Sequence, residues 1–239
     1  MSVWLRVGEF VSRITKSGFG VSDVIEAVRT IFEGDPQLRR KVAFSIAMIA
    51  LSAKMAKADG VVTQDEVRAF QEIFAIPRNE ARNVARLYDL AKQDTSGYEA
   101  YAEKMAGLCG SGRDNCPMLT DILDGLFHIA KADGVLHERE GTFLRRIAEI
   151  FKIDEQHYQS ILARHVVLGA GADPYAVLGV ERGSPFEEVR RHYRRLIAEN
   201  HPDRLIARGV PEEFIAIATT RVAALNAAYE LIERGLRAA

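Results

Sequence analysis

The sequence predicts an all-α protein built in two parts. Apolar residues recur at three- and four-residue spacing along almost all of its 239 residues, which is the spacing of one helix face, and no run shows the strict alternation of a half-buried strand. Glycines and prolines fall between the periodic segments: Gly18 to Gly20, Gly34 to Pro36, Asp59-Gly60, Pro77, Ser96-Gly97, Gly107 to Pro117, Asp133-Gly134 and Gly169 to Pro174. There they act as breaks between helices. The last of these, Gly169-Ala170-Gly171-Ala172-Asp173-Pro174, reads as an interdomain linker and divides the chain into residues 1–168 and 173–239, with 169–172 between them. Typical domains run to about 100–150 residues, so the chain has room for two, each able to bury its own core.

Composition narrows the function classes. With 32 Lys and Arg against 33 Asp and Glu the net charge is -1, so no global charge argues for nucleic acid or an anionic membrane as partner. Cys109 and Cys116, the two cysteines, lie in a Gly/Ser/Asn-rich stretch. They fit neither a disulfide framework nor a four-ligand zinc site, and a reducing compartment is the simpler reading.

Taken in order, the first segment, Met1 to Lys16, lacks the basic start, apolar run and small-residue cleavage site of a secretory signal. Trp4, Val7, Phe10, Val11 and Ile14 fall at helical spacing opposite Arg6, Arg13 and Lys16. Such a helix either packs onto the domain behind it or lies on a membrane surface, and the two readings leave peripheral membrane contact open. The run from Val42 to Ala53 is too short to span a bilayer, which takes about 20 apolar residues. It is bounded by Lys41 and Lys54 and reads as a buried helix.

An internal repeat follows. Ala56-Lys57-Ala58-Asp59-Gly60-Val61 returns as Ala130-Lys131-Ala132-Asp133-Gly134-Val135, with Glu66 matched by Glu140 at the same offset. Two copies of a helix, Asp-Gly turn, helix unit are too few for a solenoid and predict one pseudo-symmetric bundle. Gly60 and Gly134 supply the left-handed residue after a helix end. Thr63-Gln64-Asp65-Glu66 forms a capping box, for which His137 is a poorer counterpart.

Counting Asp59 as the fifth position of a calcium loop places Gly60 sixth and Glu66 twelfth. The first and third positions would then be Met55 and Lys57, or Ile129 and Lys131, which removes two hard oxygen ligands and excludes an ordinary EF-hand. The repeat resembles the TerB-like domain, a helical module named for tellurite-resistance proteins and also found ahead of J-domains in DjlA-type co-chaperones. Because such domains are associated with metal-linked stress responses, the resemblance implies a candidate metal site at Asp59, Glu66, Asp133 and Glu140, against turn and cap roles for the same residues.

In the C-terminal part, Tyr175, Leu178 and Val180 are packing residues of a short helical turn. Ser184 as N-cap, Pro185 at the first helical position and Glu187 predict the start of a helix that runs to about Asn200. Arg190, Arg191, Arg194 and Arg195 occupy one sector of it, and Val189, Tyr193, Leu196 and Ile197 the adjoining one. Pro202 pushes His201 out of the α region, leaving His201-Pro202-Asp203 in a polar loop. A last helix from about Pro211 to Glu233 carries Phe214, Ile217, Val222, Leu225, Tyr229 and Ile232 and closes an antiparallel hairpin.

Tyr-x-x-Leu-Gly-Val at 175–180, the basic helix, His-Pro-Asp at 201–203 and Leu225-Asn226-Ala227-Ala228-Tyr229-Glu230 together resemble a J-domain in order and spacing. Asn200 departs from the aromatic residue common before His-Pro-Asp, and Val222 from a usual Phe, which predicts looser packing near the loop. The resemblance implies a co-chaperone that binds a DnaK-type (seventy-kilodalton heat-shock) chaperone through His201, Pro202 and Asp203, with Arg190, Arg191, Arg194 and Arg195 steering toward its acidic surface. The N-terminal domain would target it to a protein partner that the sequence does not identify. The alternative is a metal- or stress-responsive binding module with the J-domain as tether.

No Ser or Cys nucleophile elbow, phosphate loop or His/Cys cluster accompanies His201 and Asp203, so neither a cofactor nor an enzymatic activity is expected. Nucleic acid is not expected on the arginine face, which lacks interleaved aromatics. DjlA-type proteins carry an N-terminal membrane anchor that this sequence does not show. That departure predicts a cytoplasmic protein, with peripheral inner-membrane association as the variant.

Overall fold

The structure, a computed structural model, describes residues 5–9, 11–12, 35–59, 70, 76–93, 97–109, 114–166 and 173–238. Every regular element among them is helical, so the all-α expectation holds. Helix α1 (Pro36–Asp59) is the axis of the N-terminal part. Asp35 starts it by accepting from the backbone N–H groups of Gln37 and Leu38, each at 3.0 Å, satisfying two donors that a helix start leaves over.

The run from Val42 to Ala53 is buried throughout. Ser45 is tolerated there because its hydroxyl donates to the Lys41 carbonyl at 3.0 Å. The Lys54 ammonium lies 5.0 Å from the centre of the Tyr101 ring, where the face of the π-system attracts it. Around α1 pack α2 (Ala81–Gln93), α3 (Tyr98–Ala106), α4 (Pro117–Ala130) and α5 (Glu138–Ile150). Phe44, Met48, Tyr101, Phe127 and Phe143 fill the space between them. Helix α6 (Glu155–Val166) then packs on α4.

Residues 5–9 and 11–12 are helical, and Val7 and Val11 belong to this same core. A methyl on Gly8 would meet Asn83 and Glu80 at 2.6 Å, so the backbone approaches the start of α2 closely. At these positions the helix packs onto the domain behind it. Trp4, Phe10, Arg13, Ile14 and Lys16 lie outside the described residues.

The cysteine expectation needs correction, because Cys109 and Cys116 form a disulfide. Counting cysteines bears on frameworks that hold a coreless domain together, whereas one local bridge needs only a chain reversal. The 3-10 turn Gly107–Cys109 after α3 and the start of α4 bring the two Cα atoms to 6.4 Å, within the span a disulfide bridges.

The C-terminal part comprises α7 (Pro174–Leu178), α8 (Phe186–Glu199), α9 (Pro202–Arg208) and α10 (Ile215–Ala238). Asp173 caps α7 by accepting from the Tyr175 N–H at 3.1 Å, and Gly179 ends it at φ +67°. The hairpin of α8 and α10 closes on stacked rings: Tyr193 and Tyr229 have centroids 4.2 Å apart, with Phe186 stacked on Tyr229 at 5.9 Å. The Tyr193 hydroxyl donates to Asn226 at 2.9 Å.

Three boundaries differ from expectation. Helix α8 begins at Phe186, with Pro185 rather than Ser184 in the cap position. The Glu188 and Val189 N–H groups donate to the Pro185 carbonyl, which makes Pro185 the residue that opens the helix and sets its start one residue later. Pro202 and Asp203 open α9, with His201 as its extended cap, rather than forming a loop, since proline at the first helical position costs no hydrogen bond. The last helix starts at Ile215, after a 3-10 turn at Glu212–Phe214, and runs to Ala238.

Two cores result, and each draws on both parts of the chain. Leu205, Val210, Phe214, Ile217 and Ala218 belong to the cluster built around α1, where Phe214 meets Phe44 edge-on at 4.7 Å. Ala163 of α6 belongs to the cluster of Val177, Leu178, Val189, Leu225, Ala228 and Ile232.

Candidate functional site

His201 caps α9: its Nδ1 accepts from the Asp203 N–H at 3.2 Å, and its carbonyl accepts from the N–H groups of Arg204 and Leu205. The two polar side chains of the tripeptide nonetheless stay open to solvent, His201 60% exposed and Asp203 87%. Leu205, one turn further on, is buried. A short helix anchored on one face thus presents His201, Pro202 and Asp203 on the other.

The four arginines of α8 do not share one environment. Arg191 and Arg194 are exposed. Arg190 pairs loosely with Glu187 at 3.4 Å, and an exposed pair of that kind adds little stability. Arg195 donates to His192 Nδ1 at 2.9 Å and lies 4.0 Å from Glu199. Burial, with help from Arg195, holds the His192 imidazole below its ordinary range. Arg195 is exposed, at 61%, and with His192, Gln156 and His157 it stands at the rim of a cleft between α8 and α6.

At the floor of that cleft lies a set of residues that sequence reasoning missed. Arg221 of α10, 9% exposed, places Nε and Nη2 on Asp124 Oδ2 at 2.9 and 2.8 Å, and Nη1 on Asp121 Oδ1 at 2.8 Å. The same Nη1 donates to Asn200 Oδ1 at 2.6 Å. On its other oxygen Asp124 takes Arg164 at 3.2 Å and His165 at 3.1 Å. Arg208 of α9 lies 3.6 Å from Asp121 Oδ2.

Burial alone would raise the Asp124 carboxyl. Arg221, Arg164 and His165 together outweigh it and hold the group well below the usual carboxylate range. Burial would likewise lower the Arg221 guanidinium, but Asp124 and Asp121 raise it. Both charges are therefore kept. The looser packing expected at Asn200 is not found: Asn200 is buried, with Nδ2 on the Leu196 carbonyl at 2.7 Å and Oδ1 on Arg221. A polar pair does there what an aromatic would do by packing. The available signal was α4 itself, whose apolar residues surround Asp121 and Asp124 on all sides, because buried acids demand cations.

The repeated acids are separated in role. Asp133 accepts from the Val135 N–H at 3.0 Å and lies 3.3 Å from His137 Nε2. Its carboxyl is lowered first by that backbone bond. Glu140 is buried and accepts from the His137 N–H at 3.0 Å, so the second copy does form a cap, and Gly134 takes φ +91° as its turn requires. The Asp59 side chain and Glu66 lie outside the described residues. No group of three or more metal-ligating side chains gathers among the described residues.

A short helix carrying exposed His-Pro-Asp, flanked by a basic helix and closed by an antiparallel partner, defines a J-domain protein. Comparison with known families agrees. Residues 173–234 match the DnaJ domain, and residues 45–163 match the family described as tellurite resistance protein TerB. The chain is 30% identical over 223 residues to the co-chaperone protein DjlA of Photobacterium profundum, an alignment covering 82% of this chain and 78% of that protein. It is 26% identical to the DjlA of Legionella pneumophila, covering 84% and 80%, and 26% identical to that of Vibrio cholerae, covering 87% and 84%. The chain belongs to the DjlA co-chaperone family. No solved structure matches it.

Membership overturns the expectation of a plainly cytoplasmic protein. That expectation rests on the lack of an N-terminal anchor, yet the family it joins is one of membrane-anchored co-chaperones. The alignments leave part of each relative's length uncovered, so where this chain begins does not bear on an anchor. Among the described residues, Ile215–Leu236 is long and apolar enough to cross a membrane by length and composition alone, with a mean hydropathy of 1.2, while in this fold it buries Ile217, Leu225 and Ile232 in the two cores.

Proposed function

We propose that the chain binds a DnaK-type chaperone through His201, Pro202 and Asp203, with Arg190, Arg191, Arg194 and Arg195 steering the encounter, and so stimulates the partner's ATP hydrolysis. The observation that carries this reading is the exposure of His201 and Asp203 on a helix whose opposite face is anchored. Exposed arginines attract an acidic surface at long range, which raises the association rate and weakens with salt. Hydrolysis takes place on the partner, and the chain acts by binding one of the partner's conformations better than another. In this reading it is not itself an enzyme. Residues 173–239 form the J-domain, residues 1–168 target it to a further protein, and 169–172 join the two.

Single-turnover ATP hydrolysis by a bacterial DnaK, with the intact chain and with His201→Gln, tests the proposal. Stimulation by the wild type that disappears in the variant is the expected result. A wild type that leaves the rate unchanged, or a variant that stimulates equally well, would sink it.

A further inference from the structure

We infer that the N-terminal domain is a positioning element for the His-Pro-Asp segment, acting through Asp121 of α4 and Arg221 of α10, and is not only a targeting module. The inference rests on the proposed stimulation of a DnaK-type partner, but its physical core can be tested apart from it.

The path is short and continuous. Arg221 uses one guanidinium to hold both acids of α4 and the amide of Asn200. Asn200 is the residue before His201, and it ends α8 at φ -96°, ψ 10°. Its amide is occupied at both ends, Nδ2 on Leu196 and Oδ1 on Arg221. The point at which the chain leaves α8 and turns into His201 is therefore set by a side chain that is itself fixed by the other domain.

The far end of the segment is tied to the same place. Arg208, the last residue of α9, donates to the Glu199 carbonyl at 3.0 Å and lies 3.6 Å from Asp121 Oδ2. Between these ties Leu205 is buried in the N-terminal core, and just beyond them Gly209 lies close to Arg40 of α1. Asp121 thus sits behind the segment, hydrogen-bonded to Arg221 at its near end and within ion-pair distance of Arg208 at its far end.

This docking leaves His201 and Asp203 exposed, and Arg191 and Arg194 also remain open. It presents the recognition residues and does not mask them. A plain interdomain glue would need only Asp124 and the apolar contacts. The extra bond from Arg221 to Asn200 places a charge-assisted constraint, stronger than a neutral hydrogen bond, one residue from His201.

The test uses the full chain with Asp121→Asn, Asn200→Ala and Asp124→Asn. Hydrogen exchange at the amides of 203–205 reports the segment, and exchange within α4 and α10 reports whether each variant is folded and docked. Single-turnover hydrolysis by DnaK over a concentration series separates the maximal stimulated rate from the half-saturating concentration.

Asp121→Asn and Asn200→Ala are expected to keep protection in α4 and α10, to exchange faster at 203–205, and to lower the maximal rate about five-fold, the size of coupling that contacting residues show. The half-saturating concentration should stay within about two-fold, because the arginines that set encounter are untouched. A merely structural role would move the protection in α4 and α10 instead.

Should Asp124→Asn prove unfolded, the other two variants decide. Folded variants with wild-type exchange at 203–205, or with faster exchange and an undiminished maximal rate, would overturn the inference. A wild type without any stimulation defeats the proposed function, and the exchange comparison still decides whether the segment is held from α4.

Discussion

Arg221 and Asp124 stand 97 residues apart in sequence and meet edge-on, with Nε and Nη2 of one guanidinium on one carboxylate oxygen. Both side chains are almost wholly buried. Two charges in that position attract strongly but have also lost their water, so the pair fixes geometry more surely than it adds net stability.

Removing one partner is a different matter from lacking both. Asp124→Asn leaves Arg221, Arg164 and His165 without their shared anion and is expected to cost about 3–5 kcal/mol, the usual penalty for a broken buried pair. Urea denaturation followed by circular dichroism measures it. A loss below about 1 kcal/mol, the level of exposed pairs, would mean that water reaches the cluster freely.

The same carboxylate gives a pH dependence. Its folded-state pKa lies below that of a free aspartate, which is about 3.9. A group shifted in that direction contributes stability that is fully present above the unfolded value and is lost as pH falls through the folded value. The urea midpoint of the wild type should therefore fall as pH is lowered below about 4. Asp133, Asp154 and Glu155 are lowered as well, so the slope is read as the difference between wild type and Asp124→Asn, which should be flatter over that window. Parallel curves would show that Asp124 contributes nothing to acid sensitivity.

How much of this was legible depends on whether the cause was local. The start of α7 at Asp173, the turn at Gly134 and the apolar side of the last helix follow from nearest neighbours along the chain. The helical state of Pro202 to Arg208 follows from rules equally local, with proline at the first position and Gly209 at the end, and a stop signal at Pro202 concealed it. The partners of Asn200 could not be read in the same way. Arg221 lies 21 residues on, where an arginine among threonine and alanine reads as a solvated face, and its acids lie 100 and 97 residues before it. Only the apolar surroundings of Asp121 and Asp124 carried a warning.

Arg191 and Arg194 should separate encounter from fold. Alanine at both is expected to change stability by no more than about 0.5 kcal/mol, as for exposed surface positions. Association with DnaK should slow and lose part of its dependence on ionic strength. Stopped-flow association at two salt concentrations checks this, and an unchanged rate and salt slope would assign the steering elsewhere.

Gly209 offers a test of how tightly the His-Pro-Asp helix is seated. It ends α9 at φ +94°, ψ 16°, with its N–H on the Ile206 carbonyl and the Val210 N–H on Leu205, both at 3.0 Å. Any side chain there meets two obstacles. The left-handed backbone costs a residue with a Cβ about 1 kcal/mol or somewhat more, and the added methyl would overlap the Arg40 Cβ of α1. Gly183 has nearly the same backbone, φ +92°, but no described residue within 4 Å of where its methyl would go, so it isolates the first cost. Gly183→Ala is expected to lose only the backbone term, whereas Gly209→Ala should lose that and about 1–3 kcal/mol more, the range for overpacking a filled site. It should also speed exchange at the amides of 203–205, because α9 can make room only by moving off α1. Equal urea midpoints for the two variants would show that α9 yields without cost and that its contact with α1 is soft.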